Sequence, residues 1–171
     1  MGSPEVAMEM NTGGSKKTAM PVFEKSYSRM EADKFVIGHF ELATYGPLID
    51  VTIAHRDGST DRSGRAMIDT GTSVTFIDEE AARELGLPMD EKPETSPTFC
   101  CDSASFNIYR KVDLKMEDFP TIQLDRVLAG RLATNPNKLL AIIGRDILKR
   151  GTFKYDGLQG RITLTLGPSA E

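Results

Sequence analysis

The sequence holds only two cysteines, Cys100 and Cys101, and they are neighbours. Adjacent side chains on an extended backbone point to opposite faces, so the pair builds no disulfide framework and gives no argument for an oxidising compartment. Histidine is equally scarce, with His39 and His55 the whole supply. Neither type falls at the close paired spacing a zinc site requires, so no metal and no other cofactor is expected. No apolar run approaches the roughly 18–20 residues that cross a bilayer. The first twenty residues lack an apolar core with basic flanks. The expectation is a cytoplasmic chain with no membrane association. Lys and Arg number 21 against 25 Asp and Glu, a net charge of −4. That balance leaves no basic footprint for nucleic acid. Phosphate-loop and dinucleotide glycine motifs are also missing.

What remains is a chain of 171 residues, 39% hydrophobic and 27% charged, the profile of one soluble globular domain. Residues 1–33 stand apart: they carry five of the eight methionines and no apolar period. They read as a flexible N-terminal arm, a tag remnant or propeptide, with a regulatory or docking arm as the functional alternative. Residues 34–171 read as the folded domain. Lys34–Ala43 alternates as a strand, and Ile49, Val51, Ile53 and His55 share one face of the next. The turn-rich stretch from Arg56 to Gly64 then predicts a hairpin returning through Arg65–Asp69.

Asp78 is placed to cap a short helix through Glu79–Leu85, with Glu79 and Glu80 in its first turn and Gly86 to stop it. A second hairpin is expected around Asp102–Ser105, then one strand across Thr121–Ala133. Leu139–Ile143, a short helix from Arg145 and two strands around Gly157–Gly160 complete the order. Many strands with two short helices make a mostly β fold.

Two segments carry the chemistry: Ala66-Met67-Ile68-Asp69-Thr70-Gly71-Thr72-Ser73 and, 73 positions on from Gly71, the Gly144 of Ile142-Ile143-Gly144-Arg145-Asp146. In this order they resemble the retropepsin-like, retroviral-type aspartic proteases and their single-domain cellular and bacterial relatives, over roughly Tyr45–Leu166. The resemblance implies a closed-barrel protomer with one lobe per chain. It implies an aspartic endopeptidase (a hydrolase) in which water is activated by two carboxyl groups sharing a proton. Such aspartic-protease dyads are the well-known case of like charges in one site pushing their titrations apart. The chain has one Asp-Thr-Gly and no second Asp-Thr-Gly or Asp-Ser-Gly. The dyad therefore needs a homodimer, each protomer supplying Asp69 across a two-fold axis. The partner at the cleft would be a peptide or protein substrate.

By the same resemblance, Thr70 would interlock with its symmetry mate. Gly71 would let the backbone approach the carboxylate, and Thr72 would offer a hydroxyl to the outer carboxylate oxygen. Ser73, Phe99, Cys100, Cys101 and Ile142 would contact substrate. The chain departs from the viral pattern in two places. The flap-like segment Thr98–Ile108 contains no glycine, and Ser73 stands where viral enzymes often have an acid, so Arg145 must find another partner.

Plainer readings exist for the same residues. Asp-Thr-Gly is ordinary turn chemistry, Ile142 suits a core, and Phe99 to Cys101 suit hairpin packing. Asp-x-Gly-Thr also resembles the phosphate loop of actin-type ATPases, but that fold needs two α/β lobes in about twice this length. The non-enzymatic alternative is a catalytically weak retropepsin-like dimerisation or peptide-binding module that holds an extended chain by strand addition.

Overall fold

The computed structural model describes residues 22–26, 42–98, 101–133 and 138–167. Its first hairpin is built as the alternation predicts. β2 (Leu48–His55) buries Ile49, Val51 and Ile53, and pairs antiparallel with β3 (Asp61–Ile68). On its other side β2 pairs with β7 (Val112–Met116), which in turn carries the three-residue β8 (Ile122–Leu124).

β10 (Leu139–Ile143) is almost wholly buried and almost wholly apolar, the pattern of a strand covered on both faces. It runs parallel to β3 and antiparallel to β4 (Phe76–Asp78). Beyond β4 come β9 (Val127–Gly130), β6 (Cys101–Tyr109) and β5 (Glu94–Thr98). The nine-stranded order is thus β5-β6-β9-β4-β10-β3-β2-β7-β8. A second sheet has the order β1-β12-β11, from Val22–Ser26, Arg161–Leu166 and Gly151–Asp156. Ile162, Leu164 and Leu166 of β12 join the main core.

Mostly β is correct; the closed barrel is not. The large sheet ends at β5 and β8, and these two strands do not pair with each other. Pro97 lies in β5 and lacks an N–H, which suits an open edge. The single strand expected over Thr121–Ala133 is broken at Asp125-Arg126. Its first half lies at one edge of the sheet and its second half beside β4.

Among the described residues there are three short helices, not two. Besides α2 (Glu79–Glu84) and α3 (Arg145–Leu148), a helical turn α1 covers 42–45. Gly46, at φ +78°, closes it by donating to the Leu42 carbonyl at 3.1 Å, and Pro47 follows. A left-handed glycine followed by proline ends a helix and does not extend a strand. The expected strand Lys34–Ala43 is therefore corrected at Leu42 and Ala43, while 34–41 lie outside the described residues. Nor is the N-terminal arm an arm throughout: Val22–Ser26, inside 1–33, forms β1 and pairs antiparallel with β12. No helix among the described residues is long and apolar enough to cross a membrane.

Candidate active site

β3 lies between β2 and β10, and it ends where Asp69 begins. The Ile68 N–H donates to the Pro47 carbonyl at 2.9 Å, and the Asp69 N–H donates to the Ile143 carbonyl at 3.0 Å. The last residues of two parallel core strands thus meet at the base of the loop. Buried Ala66 and Ile68 anchor the strand below, while Thr70, Gly71 and Ser73 are exposed and Asp69 is half-buried. A carboxylate at that position is rooted in the core yet open to a substrate.

Each oxygen of that carboxylate has its own donor. The Gly71 N–H reaches Oδ1 at 2.7 Å, and the Thr72 hydroxyl reaches Oδ2 at 2.6 Å. These are short, charge-assisted bonds. A Cβ on residue 71 would stand 3.0 Å from Asp69 Oδ1. Glycine is what lets the amide come this close. The arrangement expected of Asp69, Gly71 and Thr72 is present as geometry.

The return of the loop is tied to the start of α3. Helices leave their first N–H groups without intrahelical acceptors. Here the Arg145 and Asp146 N–H groups donate to the Thr72 and Ser73 carbonyls at 2.9 and 3.2 Å. The Asp146 carboxylate accepts from the Thr75 N–H at 3.0 Å and from its hydroxyl at 2.7 Å. The Thr75 oxygen in turn accepts the Gly144 N–H at 3.1 Å. Gly144 has no room for a side chain, since a Cβ would lie 2.5 Å from the Val74 carbonyl carbon and oxygen. Arg145 donates Nη1 to the Thr70 carbonyl at 2.7 Å.

At the far side of the loop, Asp78 is 3% exposed. It caps α2 through the Ala81 N–H at 3.0 Å and also accepts the Leu132 and Ala133 N–H groups at 2.9 and 2.8 Å.

The expected substrate contacts are distributed differently. Ser73 is exposed on the Asp69 loop. Ile142 is half-buried on β10, opposite Met67 and Phe76. Phe99 and Cys100 lie outside the described residues, and Cys101 opens β6 with its backbone paired to Thr98. The hairpin expected around Asp102–Ser105 does not turn there, because these residues lie within β6. The register shifts between Ser96 and Thr98. β6 is held to the body by Phe106, edge-on to Phe76 with ring centroids 5.0 Å apart, and by Asn107, which donates to Glu79 at 2.6 Å. Glu94, at the start of β5, pairs with Arg126. Arg110 makes a two-pronged contact with Asp90 at 2.9 and 2.6 Å. That hydrogen bond holds the Asp90 carboxyl below its ordinary value.

Thr75, Asp146 and Asp78 were not singled out as site residues from sequence, although Asp78 was read as a helix cap. Asp146 directly after Gly144-Arg145 was the one available signal. Its partner Thr75 is 71 positions away, so only folding pairs them.

The loop is thus rooted in the core, presents one carboxylate with a donor on each oxygen and docks on the entry of a short helix. Residues 49–104 match the family described as aspartyl protease, a stretch that includes the Asp69 loop and most of the β5–β6 hairpin. The resemblance read from the sequence is thus shown there. No curated protein sequence matches the chain. Among solved structures, the chain is similar to an inhibitor-bound EIAV protease at 19% identity, covering 60% of this chain and 85% of that one, with a TM-score of 0.44. It is also similar to the retroviral protease-like domain of Ddi1 from Leishmania major, at 13% identity, 71% and 95% coverage and a TM-score of 0.41.

Proposed function

We propose that the protein is an aspartic endopeptidase, active as a homodimer in which Asp69 and the partner's Asp69 share one site. The observation that carries this reading is the half-buried Asp69 carboxylate, held at the start of its loop by the Gly71 N–H and the Thr72 hydroxyl. One Asp-Thr-Gly per chain makes a second chain necessary. Two carboxyl groups sharing a proton can do both halves of acid–base catalysis. The ionised one takes a proton from water as the water oxygen bonds to the scissile carbonyl carbon, and the protonated one gives its proton to the carbonyl oxygen. In the collapse of the resulting gem-diol, a carboxylate takes a hydroxyl proton while the other proton goes to the leaving amine. The C–N bond breaks, no covalent enzyme intermediate forms, and water supplies the new acid and amine hydrogens.

The substrate on this reading is an extended polypeptide between the two protomers, with Ser73, Ile142 and the Phe99–Cys101 segment at its side chains. The test is cleavage of an unbiased peptide mixture by wild type and Asp69→Asn, read by mass spectrometry from acid to neutral pH. Cuts that vanish in the variant support the reading, and their flanking residues give the specificity. If wild type makes no Asp69-dependent cuts yet sediments as a dimer, the peptide-binding module takes its place. The glycine-free sequence of the β5–β6 hairpin and the open edge of β5 favour that second reading.

A further inference from the structure

Two bonds in the loop belong to one peptide unit. The Thr70 carbonyl accepts from Arg145 Nη1 at 2.7 Å, and the Gly71 N–H donates to Asp69 Oδ1 at 2.7 Å. A trans peptide is planar, so its C=O and N–H point in opposite directions. Fixing one therefore aims the other. Glycine on the C-terminal side of that peptide lowers the resistance to rotating it, because Gly populates both signs of φ. Without an external partner for the Thr70 carbonyl, the peptide is free to turn and take the Gly71 N–H away from the carboxylate. Arg145 reaches the other side of the site as well. Its backbone N–H holds the Thr72 carbonyl at 2.9 Å, and Thr72 is the residue whose hydroxyl bonds Asp69 Oδ2.

We infer that Arg145 is a positioning residue for Asp69: its guanidinium orients the Thr70–Gly71 peptide so that the Gly71 N–H fixes the carboxylate. It acts through that peptide and touches neither the carboxylate nor any reacting atom. The guanidinium suits this task because its planar, always-charged fork donates to a carbonyl without needing an acid partner. Ser73, close to it on the same loop, carries no carboxylate that would compete with this carbonyl. Arg145 is exposed and packs no core, so its side chain can be removed without creating a cavity.

The catalytic consequence rests on the endopeptidase reading above; the structural one does not. The experiment therefore reads both, in Arg145→Ala and Arg145→Lys of the full chain. In wild type the Gly71 amide proton should resonate downfield and exchange slowly, as a short bond to a carboxylate requires. In Arg145→Ala it should move upfield and lose protection, while the melting temperature holds. On the peptide substrate found for wild type, kcat should fall roughly 10- to 100-fold with KM within about twofold, the pattern of a misplaced catalytic group. Arg145→Lys keeps one donor and should restore part of both signals. An unchanged Gly71 amide in Arg145→Ala overturns the inference, as does an equal loss in kcat and thermal stability with no rescue by lysine. If wild type shows no Asp69-dependent hydrolysis, the endopeptidase reading fails and the amide signal alone decides on Arg145.

Discussion

The Asp69 loop and the β5–β6 hairpin are held by different means. The loop is gripped along its length: the carbonyls of residues 69, 70, 72 and 73 are all hydrogen-bond acceptors, and Thr75 is bonded at both its N–H and its hydroxyl. Its partners come from the sequence-distant start of α3, so its shape depends on tertiary contact. The hairpin is held at its base, by Phe106, Asn107, Glu94 and Arg110, and β5 pairs with β6 alone. A group that must sit within a fraction of an ångström of its place needs the first kind of support. A segment that must admit a polypeptide is better served by the second.

The largest effect that this contrast predicts is at Asp69 itself. Asp69→Asn keeps the shape of the side chain and one oxygen to accept the Gly71 N–H, turns the other position into a donor toward the Thr72 hydroxyl oxygen, and removes the base. Hydrolysis should drop by at least about 10²–10⁴-fold with little change in stability, measured by kcat/KM and by thermal melting side by side. Retained hydrolysis would detach the loop from the chemistry.

Next in size is Gly144→Ala. A Cβ there meets backbone atoms of Val74 at 2.5 Å, which no rotamer can relieve. The expected cost is about 3 kcal/mol in urea unfolding. A stable Gly144→Ala protein would show that the loop can slide on α3, and would weaken the comparison.

Thr75→Val comes third. It keeps the volume but removes the hydroxyl that serves both Asp146 and the Gly144 N–H, leaving a buried donor unpaired. A loss of about 2 kcal/mol is expected. Restoration by Thr75→Ser, by more than half, would assign the loss to the hydroxyl and not to packing.

The smallest effect is at the base of the hairpin and depends on pH. Arg110 lowers the Asp90 carboxyl below its ordinary value of 3.8. A group whose folded-state value is depressed contributes stability above the unfolded value and loses it as pH falls through the folded one. The Tm difference between wild type and Asp90→Asn should therefore be constant near neutrality and close as pH drops below 3.8. Arg110 is exposed and Asp90 only half-buried, so added salt should shrink the difference. A difference that widens on acidification would mean that the hairpin base is held by something other than this pair.

Local patterns were legible in proportion to how local their causes are. The alternation through Ile49, Val51 and Ile53 identified β2, and Asp78 with Gly86 bounded α2, because a strand face and a helix cap are decided within a few residues. The Thr72 and Gly71 bonds to Asp69 were likewise readable, since they span two or three residues. The expected turn at Asp102–Ser105 failed because hairpin register is a matter of cross-strand pairing, and Thr98 opposite Cys101 overrides the local turn chemistry. The unbroken strand over Thr121–Ala133 failed for a related reason. Asp125 pairs with Arg56, and the chain breaks there to place β8 at one edge of the sheet and β9 between β6 and β4.

By itself, then, the sequence determined the mostly β composition, the β2–β3 hairpin, the capped α2 and a carboxylate on a glycine-relieved loop. All of these rest on residue spacing and on groups close along the chain. Only the tertiary structure decided that the large sheet stays open between β5 and β8, and that Val22–Ser26 pairs with β12. It alone placed Arg145 and Asp146 against a loop more than seventy positions earlier. Those bonds join groups whose distance apart in the chain carries no signal until the backbone brings them together, and they are what aims the carboxylate.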